Sequence, residues 1–475
     1  MIAPGGRSGI ALATLAVTLA PLMGAASAAV DPNAPPAPID PLAEATKLLA
    51  ADKWQEALDA SRLAVTADPN SATARALLGD ALYRRGDFEE SEEAYRAAAA
   101  ADPTLASAQF GLGKILRTLG RYGDAAESFH RAAALAPGNA KYVRILSNHL
   151  ARREDILKLL AHYLEMPPAE DDGVIRNVRA WMALLEELGD EPLSEVIRAE
   201  PTSLPLNVLR GQAYLKADVN GALGQRFAFD TGATGVTVSP RLAKLAKLKP
   251  IRPFTITGMG GKGTVDGDLV VIRSLTLGGV SIRNVTATIA EPKGDEEGLL
   301  GPSVFGSFLI TVDLGGGSLN LRRNEGSAGK TSPAAQTLPF RNVGGQIVVR
   351  ASLNGAALNA MVDTGASRSL ASMSAATRVT GLDLLPEAWL QGRSVGLGGN
   401  IPRKAIRAAT LSFGGSDFKA DGMPCVDLSR FSRAIESEIY LVVGFPELAR
   451  FILEVDYRAN VLRLTPPPAP SQPPR

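Results

Sequence analysis

The sequence predicts a multidomain chain: an all-α solenoid of helical repeats followed by two mostly-β lobes. Three observations predict it. A fixed repeat runs through the first third, with Pro69, Pro103 and Pro137 recurring at intervals of 34 residues. The texture changes at Pro201-Thr202-Ser203-Leu204-Pro205, from helical patterns to short apolar runs rich in glycine. Beyond that point one ordered set of features occurs twice. A chain of 475 residues has room for two or three domains with real cores.

Residues 1–29 read as a secretory signal. Arg7 supplies the positive charge, Ile10 to Met23 a short apolar run, and Ala26-Ser27-Ala28 the small-residue cleavage pattern. The alternative is an uncleaved N-terminal anchor. No cysteine follows the cleavage site, which argues against a lipoprotein, and no other segment has the apolar run a membrane span requires. The expected location is outside the cytoplasm, in a bacterial periplasm. Residues 30–41, rich in proline and alanine, read as a linker.

Residues 42–200 read as the helical array. In step with the prolines run Ala57, Ser91 and Ala125, then Ala64, Ala98 and Ala132; Gly79 matches Gly113, Gly86 matches Gly120, and Tyr95 matches Phe129. Small residues let two antiparallel helices approach closely. Glycine ends the first helix of each pair and proline stops the second. This pattern resembles the tetratricopeptide repeat. The first copy departs from it, with Asp52 at the turn-glycine position and Ser61 at the aromatic one. Lys141 to Met166 reads as a degenerate fourth pair, and helix is expected to continue through Ile175–Leu188. The array is expected either to present a peptide-binding surface for a protein partner or to act as a spacer.

Composition excludes several functions. Fifty basic residues against 49 acidic give a net charge of +1 with no basic stripe, so nucleic acid is not an expected partner. The single cysteine, Cys425, allows no intrachain disulfide and reads as a small buried apolar residue. The three histidines, His130, His149 and His162, all fall in the helical half. The β half therefore has no imidazole for a serine or cysteine hydrolase, and no metal or other cofactor is expected.

The β half divides into lobes at about 205–325 and 335–465. Arg210-Gly211-Gln212 is echoed by Gly344-Gly345-Gln346, and Asn220-Gly221 by Asn354-Gly355, each a hairpin signal. Phe229-Asp230-Thr231-Gly232-Ala233 is answered by Val362-Asp363-Thr364-Gly365-Ala366. Leu299-Leu300-Gly301 is answered by Val442-Val443-Gly444. Asp313 and Asp456 are also duplicated, but lack the Thr-Gly context and read as turn residues. Residues 466–475 read as a disordered proline-rich tail.

An apolar strand ending in Asp-Thr-Gly-Ala, with two apolar residues and a glycine downstream, resembles the aspartic peptidases. Alanine after the glycine is closer to the retroviral type than to the pepsin type. The resemblance covers nearly all of 205–465. It implies two pepsin- or retropepsin-like closed barrels that bring Asp230 and Asp363 into one cleft as a catalytic pair. It implies that Thr231 and Thr364 hydrogen-bond across to the opposite lobe, and that Gly301 and Gly444 pack behind the catalytic turns. Gly232 and Gly365 remove the Cβ where backbone amides approach the carboxylates. Two carboxylates in contact cannot both ionise cheaply, so they share one proton, a coupling for which aspartic peptidases are the standard instance. Both lobes in one chain would let a monomer build the site, although pairing between chains is not excluded by sequence. Thr255 to Thr264, with Gly258, Met259 and Gly260 at its tip, reads as a flap over a peptide or protein substrate. Gly396, Leu397 and Gly398 form its counterpart. No tyrosine stands at either tip, unlike the pepsin type. The competing reading is a non-catalytic tetratricopeptide scaffold with peptidase-like binding lobes.

Overall fold

The computed structural model describes residues 40–150, 152–166, 172–258, 264–292, 294–326, 335–386, 395–396, 399–400 and 403–467. The signal segment, most of the linker and nearly all of the tail lie outside them. Residues 40 onward form one compact unit.

Nine helices are described in the N-terminal half: α1 (Pro41–Ala50), α2 (Trp54–Ala67), α3 (Ala72–Arg85), α4 (Phe88–Ala101), α5 (Ala106–Thr118), α6 (Tyr122–Leu135), α7 (Ala140–Ser147), α8 (Arg153–Glu165) and α9 (Asp172–Leu188). The 34-residue period sets their starts, at 54, 88 and 122 and at 72, 106 and 140. Asp40, Ser71 and Asn139 cap α1, α3 and α7 by accepting from backbone amides at each helix start. Gly86 and Gly120 adopt left-handed conformations at the inter-helix turns, with φ of 83° and 79°. Asp52 takes the same conformation in the first repeat, at φ 56°. The small residues work as packing sites: a Cβ on Gly79 would lie 2.8 Å from the Tyr95 ring, and one on Gly113 would lie 2.8 Å from Phe129. None of the described helices is long and apolar enough to cross a membrane.

The β region begins before the texture change, with strand Glu195–Ala199 pairing antiparallel to Val280–Arg283. Its sequence, Glu-Val-Ile-Arg-Ala, carries charge at an exposed sheet edge, so it lacks the apolar run that marks a buried strand. Asn220-Gly221 and Asn354-Gly355 have positive φ at both residues, the geometry of tight two-residue hairpins. In each lobe a strand leading to Asp-Thr-Gly lies parallel to a short downstream strand. Ala222–Phe229 pairs with Gly298–Leu300, and Ala356–Val362 pairs with Leu441–Val443.

A six-stranded sheet joins the lobes. Strands Thr202–Pro205, Phe308–Asp313 and Ser318–Arg323 come from the first lobe; Gln336–Pro339, Ile452–Asp456 and Val461–Thr465 come from the second. The seam is the antiparallel ladder Leu309↔Asp456 to Asp313↔Ile452. Asp313 and Asp456 act here as turn residues. Asp313 accepts from the Gly316 amide at 2.6 Å, and Asp456 from those of Arg458 and Ala459 at 3.1 and 3.0 Å. Cys425 is fully buried, and burial pushes its thiol pKa up to about 11.

The helical array docks on the second lobe. Tyr83, Phe88, Tyr95 and Ile115 share one buried cluster with Val343, Val348, Met361 and Val442. Each buried aromatic there contributes roughly 2–3 kcal/mol of apolar burial. The turn glycines are docking points. Asn359 Nδ2 donates to Gly86 O at 3.0 Å, and a Cβ at Gly86 would sit 1.7 Å from that nitrogen. Asn460 accepts from the Gly120 amide at 3.1 Å and donates to Tyr457 O at 3.0 Å. Glu436 adds charge to the interface, with Lys141 at 2.5 Å and Lys114 at 3.6 Å. This face of the repeats is thus covered by the chain's own second lobe.

Helix α9 reaches the first lobe instead. Ala180, Leu184, Leu185 and Leu188 pack on Leu269 and Val271, with Ile251 and Phe254 alongside.

Candidate active site

Each candidate aspartate sits immediately after the central strand of its lobe. The Asp230 amide donates to Leu300 O at 3.2 Å and the Asp363 amide to Val443 O at 3.0 Å. Both turns then close in the same way. Gly232 N donates to Asp230 Oδ1 at 2.8 Å. Gly365 N and Ala366 N donate to Asp363 Oδ1 at 2.9 and 3.1 Å. Backbone donors aimed at a carboxylate oxygen fix its rotamer.

The threonines lock the turns together. Thr231 Oγ1 donates to Val362 O at 2.8 Å and accepts from Thr364 N at 2.9 Å. Thr364 Oγ1 donates to Phe229 O at 2.9 Å and accepts from Thr231 N at 3.0 Å. Both side chains are buried, so these four bonds are shielded from water.

The glycines bring the carboxyl groups across the seam. A Cβ on Gly232 would lie 2.7 Å from Asp363 Cγ, and one on Gly365 would lie 2.4 Å from Asp230 Cγ. Each carboxyl group therefore rests on the glycine of the other lobe's turn, in the place a side chain would fill. Gly301 and Gly444 stand behind the turns. A Cβ on Gly301 would meet Ala233 O at 2.4 Å, and one on Gly444 would meet Ala366 O at 2.7 Å. The Gly444 amide donates to Ser369 Oγ at 2.8 Å.

Asp230 and Asp363 open into a cleft of about 1140 Å³ that is lined from both lobes. One wall is the hairpin Arg252–Thr257 with Thr264–Ile272, paired up to Thr257↔Thr264. Gly258 is buried at its end and lines the cleft. Met259 and Gly260 lie outside the described residues. In the second lobe Val395–Gly396 pairs with Gly399–Asn400, which places Gly396 in a short hairpin; Leu397 and Gly398 lie outside the described residues.

Several cleft residues were not singled out from sequence. Trp181 of α9 lines the cleft beside Phe254. The same helix holds the first hairpin at its edge: Asn177 Nδ2 donates to Thr255 O and Asn177 Oδ1 accepts from Thr255 N, both at 2.8 Å. Arg176 adds an ion pair to Asp266 at 2.9 Å. Gln212 Nε2 donates to Gly365 O at 3.1 Å, and Tyr214 OH donates to Gln212 Oε1 at 2.7 Å. The duplicated Gly-Gln was a legible signal for Gln212 and Gln346. Nothing in the sequence ties α9 to the hairpin. Among the described residues, no group of three or more His, Cys, Asp or Glu side chains is placed to hold a metal ion.

Residues 215–304 and 349–441 match the family model described as aspartyl protease, one segment in each lobe. Residues 42–106 and 85–140 match the tetratricopeptide repeat. The chain thus carries two retropepsin-like aspartyl-protease segments behind N-terminal tetratricopeptide repeats. No curated protein matches it.

Proposed function

We propose that this protein is an aspartic endopeptidase whose two lobes, each of the closed retropepsin-like type, form one intramolecular active site. The observation that carries the reading is the threonine interlock. It sets two Asp-Thr-Gly turns face to face, with each carboxyl group against the other turn's glycine.

In this mechanism Asp230 and Asp363 hold one proton between them. The ionised member takes a proton from a water bound between them. The other donates to the oxygen of the scissile carbonyl. Water oxygen bonds to the carbonyl carbon, giving a tetrahedral diol. Proton return to the amide nitrogen then breaks the C–N bond and restores the shared proton. The strands Arg252–Thr257 and Thr264–Ile272 wall the bound peptide on one side and exclude bulk water there.

We further propose that the protein is exported and works outside the cytoplasm. The repeats would recruit a protein substrate or partner on surfaces that the second lobe leaves open.

The experiment is cleavage of an unfolded protein between acid and neutral pH. Asp230→Asn and Asp363→Asn should each abolish cleavage while circular dichroism stays native, and a pepstatin-type inhibitor should block the wild type. Mixing the two variants should restore nothing. Recovered activity in the mixture would rule out an intramolecular pair, and an inert wild type that binds no such inhibitor would favour a binding scaffold.

A further inference from the structure

The lobes are duplicates, yet two equivalent turns at the cleft differ in charge. Leu209 pairs with Gln212 in the first lobe and Val343 with Gln346 in the second. The turn between is Arg210-Gly211 in one and Gly344-Gly345 in the other, with positive φ at all four residues. Each turn leans on the opposite lobe just past its Asp-Thr-Gly. A Cβ on Gly211 would meet Ser367, and one on Gly345 would meet Thr234. The residues that follow those contacts are Arg368 and Gly235. One end of the cleft therefore carries Arg210 and Arg368, where the equivalent end carries Gly344 and Gly235.

Both arginines are exposed, both line the cleft, and neither is paired with a carboxylate among the described residues. Arg210 holds φ at 53°, a left-handed conformation that costs a side-chain-bearing residue about 1–2 kcal/mol. Its counterpart is glycine, the residue that turn prefers. Strain kept at a cleft position points to use. The turn at the glycine end packs on apolar side chains, while a third arginine, Arg403, lines the cleft from the strand that pairs with Met423–Val426. A Cβ on Gly344 would lie 2.7 Å from Ile435 Cγ2, and Leu428 and Phe431 line the wall there. The hydrogen bonding is also unequal: Val348 stands where Tyr214 braces Gln212, and Gln346 Oε1 has no donor among the described residues. Apart from Asp230 and Asp363, the described lining has no acidic residue.

We propose that the cleft selects a peptide with an acidic side chain at the Arg210/Arg368 end and an apolar side chain at the Ile435/Phe431 end. This rests on the peptidase reading for its chemistry, but the selection itself is a matter of binding. A solvent-facing ion pair is worth about a two- to fivefold change in affinity, and two arginines together about fivefold or more. The effect weakens with salt, because the charges face water.

The test uses the full-length protein and non-cleavable peptides with a reduced central bond. Matched members carry Glu or Gln at one position two to four residues from that bond, on either side. Fluorescence anisotropy gives Kd at low and high salt. The expected result is Glu favoured over Gln about fivefold on one side only, less so in high salt. In the Arg210→Gln/Arg368→Gln variant the ratio should fall to about one. Equal affinities, a preference on both sides, or no binding of any peptide would overturn the proposal. Turnover of the cleavable counterparts is scored separately. Selective binding without cleavage would sink the peptidase reading and leave the charge selection standing.

Discussion

Thr231→Val keeps the shape of the side chain and deletes one hydroxyl. In the folded protein that hydroxyl serves two partners across the seam, Val362 O at 2.8 Å and Thr364 N at 2.9 Å. Neither partner can turn to water, because Thr231 and Thr364 are buried. A buried group stripped of its partner costs about 1–3 kcal/mol, so the substitution should destabilise by about 2–6 kcal/mol. That is a large share of the 5–15 kcal/mol typical of a domain. The reciprocal bonds from Thr364 remain, so the lobes should stay paired but looser. Urea unfolding read by tryptophan fluorescence measures the loss, with Thr231→Ser, which keeps the hydroxyl, as control. Peptide hydrolysis should fall at least about tenfold in kcat, because the turns carry the two carboxyl groups. A Val variant within about 0.5 kcal/mol of wild type, or a Ser variant as damaged as Val, would refute the reasoning.

Other substitutions test other parts of the architecture. Gly365→Ala places a methyl 2.4 Å from Asp230 Cγ, so it should be folded by circular dichroism and inactive in hydrolysis; an active variant would mean that the turns do not meet this closely. Asn177→Ala removes both Asn177 bonds to Thr255 and leaves the Arg176–Asp266 ion pair, so KM should rise several-fold with little change in thermal midpoint; an unchanged KM would show that the Asn177 clamp plays no part in substrate binding. Burial raises the Glu436 pKa, but Lys114 and Lys141 outweigh it and hold the carboxyl well below its ordinary range. A depressed folded value gives stability that is present above the unfolded pKa and lost as pH falls below about 4.5. Glu436→Gln should flatten that acid limb in pH-dependent unfolding, and an unaltered limb would contradict the assignment. Cys425, with its thiol raised to about 11, should resist alkylation at pH 8 in the native protein and react once unfolded, as mass spectrometry would show.

The order of elements was legible because repetition makes small signals add. One glycine says little, but Gly79 and Gly113 a period apart, each under an aromatic ring, define a helical pair. The candidate site was legible for a related reason: an aspartate, a hydroxyl and a glycine must follow one another to make the turn, so the chemistry is contiguous in sequence. Contacts between distant segments were not. Asn359 and Asn460 look like ordinary polar residues, and only the folded chain shows them seated on the Gly86 and Gly120 turns. Trp181 falls in the Ile175–Leu188 helical pattern, and such a pattern reports one buried face and not what covers that face. Strand Glu195–Ala199 escaped because its polar edge disguises it.

The ladder from Leu309 to Asp313 against Asp456 to Ile452 joins two similar halves of one chain into a single body. A partnership of identical subunits must accept every substitution in duplicate, and its mirror-like groove can receive a chain running either way. Here each half is written separately. Arginine can stand at one corner while glycine stands at the other, and the groove itself acquires a head and a tail.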